Sequence, residues 1–210
     1  MKLLSPALAL TAAAALATGS AFLLAPAPAV AAHHGAKAEV GQPAPAFTAM
    51  DQHGNPVSLA DFKGDVTVVE FFNDQCPFVA KFYEPGVMQQ MAADYAAKGV
   101  QWVAIDSSHF TSVEENASIA EAWGIDRAIL DDSAGDIGHA YGAKTTPHMY
   151  VIDAEGVLRY AGAIDSVRST DSDDIEGATN HVAEALDAIL AGEEVQTETT
   201  KPYGCSVKYK

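Results

Sequence analysis

The sequence predicts an α/β domain: a central mixed sheet flanked by helices, with a β-hairpin at its N-terminal end and a tail extension at its C-terminal end. Three observations carry this. Apolar runs rich in β-branched and aromatic residues recur at 66–72, 100–106 and 149–153. Between them lie segments whose apolar residues fall at helical spacing. Glycine, asparagine and proline mark the joints. Strands alternating with helices around one core bury both faces of a sheet under helices.

Residues 1–32 read as a targeting segment and stand outside the fold. Lys2 supplies the positive start, 3–24 is mostly Ala and Leu, and Val30-Ala31-Ala32 offers small residues for cleavage. No later stretch has the apolar length of a membrane span. Cleavage, rather than retention as an anchor, then gives a soluble protein secreted across the inner membrane, periplasmic in a Gram-negative host. Residues 33–39 read as a flexible mature N-terminus, in which His33 and His34 offer imidazoles to copper or nickel.

The domain proper is expected over 40–191. Residues 40–47 and 51–59 read as two short strands about a Gly54-Asn55 turn, where residues tolerant of left-handed backbone fit. Residues 59–64 read as a helical turn stopped by Gly64. One helix is expected after Cys76, with Phe82, Met88, Met91 and Tyr95 on its buried face, and Lys98-Gly99 closes it. Ser112 caps a helix reaching Trp123, with Glu115 three residues on completing a capping box. Residues 129–132 give a short edge strand and 137–141 a short helix. Pro147 opens the next strand, a position a sheet tolerates, and Gly156 turns the chain into its hairpin partner at 157–160. Residues 165–177 are a polar loop. A last helix over 180–190 buries Val182, Leu186, Ile189 and Leu190 and ends at Gly192. The tail, 192–210, carries Cys205 between aromatic residues that tie it down.

With 12 Lys and Arg against 28 Asp and Glu, the net charge is −16. Nucleic acid and anionic membranes reward clustered cations, so neither is an expected partner. The only two cysteines are Cys76 and Cys205. In an oxidising compartment such a pair is either a permanent bridge or a working redox couple.

Cys76 lies where the 66–72 strand hands over to a helix, ahead of Pro77. The unpaired N–H groups and dipole of a helix start favour thiolate over thiol, and the thiolate is the nucleophile. Glu70 sits between Val69 and Phe71, an acid among buried neighbours whose burial would move it toward the general acid/base range. Cys76 with His109, His139 or His148 would make a soft copper site, although no two of these share ligand spacing within one element.

The stretch 66–79 resembles the active-site strand and helix of the thioredoxin-like superfamily. Glu70 stands where that superfamily carries a buried acid, Cys76 matches the nucleophilic first cysteine, and Pro77 matches its Cys-Pro-Pro-Cys variant. Val79 replaces the second cysteine, so the short-range disulfide is absent. The G-x-x-A-P-x-F pattern at 41–47 and L-x-x-F-K-G at 59–64 are similar to the redoxin branch, the alkyl hydroperoxide reductase and thiol-specific antioxidant-like proteins. The resemblance implies the thioredoxin-like fold and Cys76 as redox nucleophile. It also implies Glu70 as proton carrier, and a substrate surface shaped by Pro77, Thr146 and a cis Pro147. It calls for no bound cofactor. It implies a protein or small-molecule thiol or disulfide as substrate and a thiol protein as electron donor. Cys205 is then either the resolving cysteine or half of a structural staple in a redox-silent binding protein. A peroxidase is a further alternative. The threonine and proline that a peroxidatic motif places three and seven residues before its cysteine are Asn73 and Val69 here, and its arginine has no clear counterpart.

Overall fold

A computed structural model describes residues 37–210. The targeting segment and His33-His34 lie outside the described residues. The strands are β1 (Thr48–Met50), β2 (Pro56–Ser58), β3 (Thr67–Phe72), β4 (Gln101–Asp106), β5 (Ile129–Asp131), β6 (Thr145–Thr146), β7 (His148–Ile152), β8 (Leu158–Gly162) and β9 (Cys205–Ser206). The helices are α1 (Pro77–Tyr83), α2 (Val87–Ala96), α3 (Val113–Trp123), α4 (Asp136–Tyr141) and α5 (His181–Ala191). Seven strands form one mixed sheet in the order β2-β1-β5-β4-β3-β7-β8, and β6 and β9 pair apart from it. The fold is α/β and thioredoxin-like, as expected.

β3 is central because every one of its residues is apolar or finds a buried partner. It runs parallel to β4 and antiparallel to β7, and all six of its residues are buried. Its alternation divides the core in two. Val68 and Phe72 pack with α1, α2, α3 and α5 on one face, whereas Val69 and Phe71 pack with α4 and the N-terminal segment on the other. Glu70 belongs to the first face, between Val68 and Phe72.

Three expectations change. The helix expected after Cys76 is two helices, because Pro85 cannot continue α1 and Gly86, at φ +79°, turns the backbone into α2. The first strand lies at 48–50 rather than 40–47. Pro43 and Pro45 lack the N–H a ladder needs, and Pro43 makes only an isolated bridge to Val157. β5 is interior, not an edge, because the β1–β2 hairpin joins the sheet through Met50 and Asp131. At the other joints Ser112 Oγ accepts from the Glu115 N–H at 3.1 Å, half of the expected capping box, and Asn180 Oδ1 caps α5 through Ala183, while Leu190 near the end of α5 is exposed rather than buried.

Beyond α5 the chain turns back across the sheet end where β3 meets α1. Thr200 N–H bonds to the Ala161 carbonyl and its Oγ1 accepts from Ala163 N–H. Tyr203 donates to the Asp165 carboxylate and sets its ring edge-on to Phe78. β9 then pairs with β6. Farther on, His109 N–H bonds the Lys208 carbonyl, and the Tyr209 ring stacks on His139 at 4.1 Å. The aromatic residues do tie the tail down.

His148, first in β7, is buried, and its Nδ1 lies 3.1 Å from the Tyr150 hydroxyl and accepts from the Lys144 N–H at 3.3 Å. Burial, with a smaller push from Lys144, lowers its pKa to about 3. An imidazole in the unfolded chain titrates near 6.5, so below that pH the unfolded state takes up a proton that the native state refuses. Stability is therefore lost as pH falls from about 6.5 toward 3, by up to ~1.4 kcal/mol per unit. The buried Asp106 and Asp132, both raised by burial, work in the opposite sense. Denaturant unfolding of wild type and His148→Gln between pH 4 and 6.5 isolates the term: the difference in stability should shrink as the solution is acidified. A pH-independent difference would exclude it.

Candidate active site

The site is built where β3 ends. Asn73 leaves the strand and arranges the corner: its Oδ1 accepts from Gln75 N–H at 2.8 Å, and its carbonyl accepts from Cys76 N–H at 3.1 Å. Its Nδ2 donates to Ser108 Oγ at 2.6 Å, fixing the corner to the loop after β4. Cys76 is then the residue that caps α1. Its carbonyl accepts from Val79 and Ala80 N–H, and Pro77 follows at the first helical position, where a missing N–H is harmless.

The Cys76 thiol is 1 % exposed and donates to the Thr146 carbonyl at 2.9 Å. The Thr146–Pro147 peptide bond is cis. Thr146 pairs in register with Cys205, and Thr145 with Ser206. The two cysteines, 129 positions apart in sequence, are thus neighbours as free thiols. Burial first, then the adjoining Cys76, push the Cys205 thiol up to about 11. Cys205 stays protonated at neutral pH. Of the six sequence-derived site residues, Cys76, Pro77, Thr146, Pro147 and Cys205 therefore come together at one point.

Glu70 is placed differently. Its carboxylate is fully buried and accepts from Tyr83 OH at 2.9 Å, Trp102 Nε1 at 3.0 Å and Arg127 at 3.2 Å. Arg127 also bonds the Tyr83 hydroxyl and lies over the Tyr83 and Trp102 rings. Burial works against the Arg127 charge, but Tyr83 and Glu70 raise its pKa above the ordinary value. Burial and the adjoining Glu70 push Tyr83 well up. Sequence gave no sign of this cluster. Arg127 sits in a polar stretch with no periodicity, and only the parallel pairing of β3 with β4 brings Trp102 beside Glu70.

A second unforeseen pair lies on the other side of α1. Lys81, five residues after Cys76, has a side chain with no exposed surface; its Nζ lies 3.2 Å from Asp165 and 3.2 Å from the Val167 carbonyl. Tyr203 of the tail donates to the same Asp165. The position of α1, and so of Cys76, is tied through Lys81 and Asp165 to the segment leading into Cys205. The histidines weighed as copper ligands have other surroundings: His139 is stacked under Tyr209, and His148 is buried against Tyr150. Among the described residues no group of three or more His, Cys, Asp or Glu is arranged to hold a metal ion, and no helix is long and apolar enough to cross a membrane.

Comparison with known proteins agrees with this architecture. A Mycobacterium tuberculosis protein named as a candidate peroxiredoxin is 30% identical over 131 residues, spanning 60% of this chain and 77% of its own. A conserved protein of Geobacillus kaustophilus has a crystal structure that superposes with a TM-score of 0.71 at 32% identity, covering 82% of this chain and 93% of the other. A Chlorobium tepidum structure described as a candidate thiol:disulfide interchange protein of the DsbE type superposes with a TM-score of 0.55 at 26% identity, over 71% and 99% of the two chains. The family model for AhpC/TSA matches residues 40–161, more than half of the chain. The protein therefore belongs to the AhpC/TSA family, the redoxin branch of the thioredoxin-like fold.

Proposed function

We propose that the protein is an exported thiol–disulfide oxidoreductase in which Cys76 is the nucleophile and Cys205 the resolving cysteine. The observation that carries this is the pair of reduced thiols set side by side at Thr146, whose carbonyl accepts from the Cys76 thiol and which pairs in register with Cys205. The Cys76 thiolate attacks a substrate disulfide, forms a mixed disulfide and releases one substrate thiolate. Cys205 gives up its proton and attacks the Cys76 sulfur. The internal disulfide forms, the second substrate thiolate leaves, and two electrons have passed from protein to substrate; run backwards, the same steps oxidise a dithiol. Thr146 and Pro147 shape the surface a substrate meets. Glu70, bound by three side chains, acts as a positioning residue for α1 through Tyr83. Export rests on residues 1–32. The relative named for thiol:disulfide interchange supports a thiol or disulfide partner.

A second reading, thiol peroxidase, draws support from the relative named as a candidate peroxiredoxin. There the Cys76 thiolate would reduce a peroxide to alcohol and become a sulfenic acid, which Cys205 would condense to the disulfide with loss of water. Asn73, three residues before Cys76, spends its amide on Ser108 and Gln75, leaving no hydroxyl there to orient a peroxide. The oxidoreductase is favoured.

The deciding experiment compares wild type, Cys76→Ser and Cys205→Ser with a protein-disulfide substrate under mild dithiol. Cys205→Ser should accumulate mixed disulfides through Cys76, and Cys76→Ser should lose exchange by at least ~10³-fold, the nucleophile being gone. An internal disulfide that forms but resists reduction until the protein unfolds, with a potential below about −300 mV, would instead make the pair a staple.

A further inference from the structure

An open cavity of about 570 Å³ lies beside the β6–β9 strand pair that carries Cys205, within the range of small-molecule sites. Thr145 and Gly204, which flank Thr146 and Cys205, line it together with Arg168, Lys201 and His181. Asp165 is the only carboxylate in its wall, and it is already occupied by Lys81, Tyr203 and the Val167 N–H. Among the described residues neither Arg168 nor Lys201 has a carboxylate within ion-pair distance. In a chain of net charge −16, two unpaired cations around one cavity make a local reversal of sign. Anions are drawn to such a concave, oppositely charged place.

We infer that this cavity binds the carboxylate end of a low-molecular-weight anionic thiol or disulfide and delivers its sulfur to the Cys76–Cys205 pair. Lys201 lies four positions before Cys205, a reach of at most about 14 Å between their backbones, so the ligand is of small-peptide size or below. The direction of approach follows from exposure. With the tail in place Cys76 is 1 % exposed while Cys205 is partly open, so a small thiolate attacks the Cys205 sulfur of the oxidised pair, whereas a larger substrate meets Cys76 once the tail has lifted. A mixed disulfide forms on Cys205, and Cys76 leaves as thiolate. A second ligand thiolate then displaces Cys205, releasing the ligand disulfide; the protein gains two electrons and the ligand is oxidised.

The inference rests on the dithiol reading for its chemistry but not for its site, and two measurements separate them. In the first, the full oxidised chain is reduced by 3-mercaptopropionate and by 2-mercaptoethanol, and the ratio of the two second-order rates is compared between wild type and R168Q/K201Q. Each thiol serves as its own reference for intrinsic reactivity. Two exposed charge contacts predict a five- to tenfold fall in that ratio, roughly, and the fall should vanish in high salt. An unchanged ratio overturns the inference. In the second, amide NMR shifts of the reduced protein are followed with 3-(methylthio)propionate, which keeps the carboxylate and cannot exchange. Saturable shifts at Thr145 and Gly204, lost in R168Q/K201Q, support the site even if no reducible disulfide ever forms. Shifts that do not saturate, or that survive the double substitution, refute the site even if the dithiol exchanges normally.

Discussion

Arg127→Met should lower the stability of the fold by about 3–5 kcal/mol, the cost of leaving a buried carboxylate without its cation. The Glu70 carboxylate has no exposed surface, and the Arg127 side chain is 12 % exposed, 3.2 Å away. Removing the guanidinium takes one of three donors from Glu70 and strips Tyr83 of a partner in the same step. The double change Glu70→Gln with Arg127→Met should recover part of the loss, because a neutral amide needs no cation and its oxygen still accepts from Tyr83 and Trp102. Denaturant titration of the four proteins in the cycle measures the coupling. Additive effects would mean that the pair does not act as a unit. The same cycle separates two roles for Glu70. As a positioning residue it leaves the pH profile of thiol exchange unchanged when replaced by Gln, whereas a proton carrier would shift that profile.

The second large effect is expected at Gly204. It has φ +138°, and a Cβ placed there would run into the Thr146 carbonyl. That oxygen is also the acceptor of the Cys76 thiol. Gly204→Ala therefore cannot keep β9 against β6 without moving the one backbone group that holds both cysteines. Strain of this kind amounts to about 2–3 kcal/mol, and the tail relieves it by lifting away rather than by unfolding the domain. Opening of the tail should become roughly 30- to 150-fold more frequent, at tenfold per 1.4 kcal/mol. In a Cys205→Ser background, where Cys76 is the only thiol, alkylation by neutral iodoacetamide should accelerate by that factor while global unfolding hardly changes. Equal alkylation rates with and without Gly204→Ala would show that the tail does not control access to Cys76.

What could be read from the chain was whatever depends on neighbours in sequence. The β-branched run of β3, the cap at Ser112, the stop at Gly192 and the corner at Cys76-Pro77 are local, and each lies where the residues put it. The strand at 40–47 and the single helix after Cys76 failed for local reasons too. Pro43, Pro45 and the Pro85-Gly86 pair outweigh an apolar pattern that taken alone reads as regular structure. The site was half legible. Cys76, Pro77 and Thr146-Pro147 follow from their elements, but nothing in the sequence near Arg127, Lys81 or Asp165 marks them as buried, since charged residues are usually exposed. Their burial is a product of register. Parallel pairing of β3 with β4 sets Trp102 beside Glu70, and the packing of α1 carries Lys81 under the loop at 165–167. Sequence alone thus determined the fold and placed a cysteine at the start of a helix. The tertiary structure decided that the tail returns as a strand beside Thr146, which is what makes neighbours of two cysteines at opposite ends of the domain, because long-range pairing depends on surfaces that exist only once the sheet has formed.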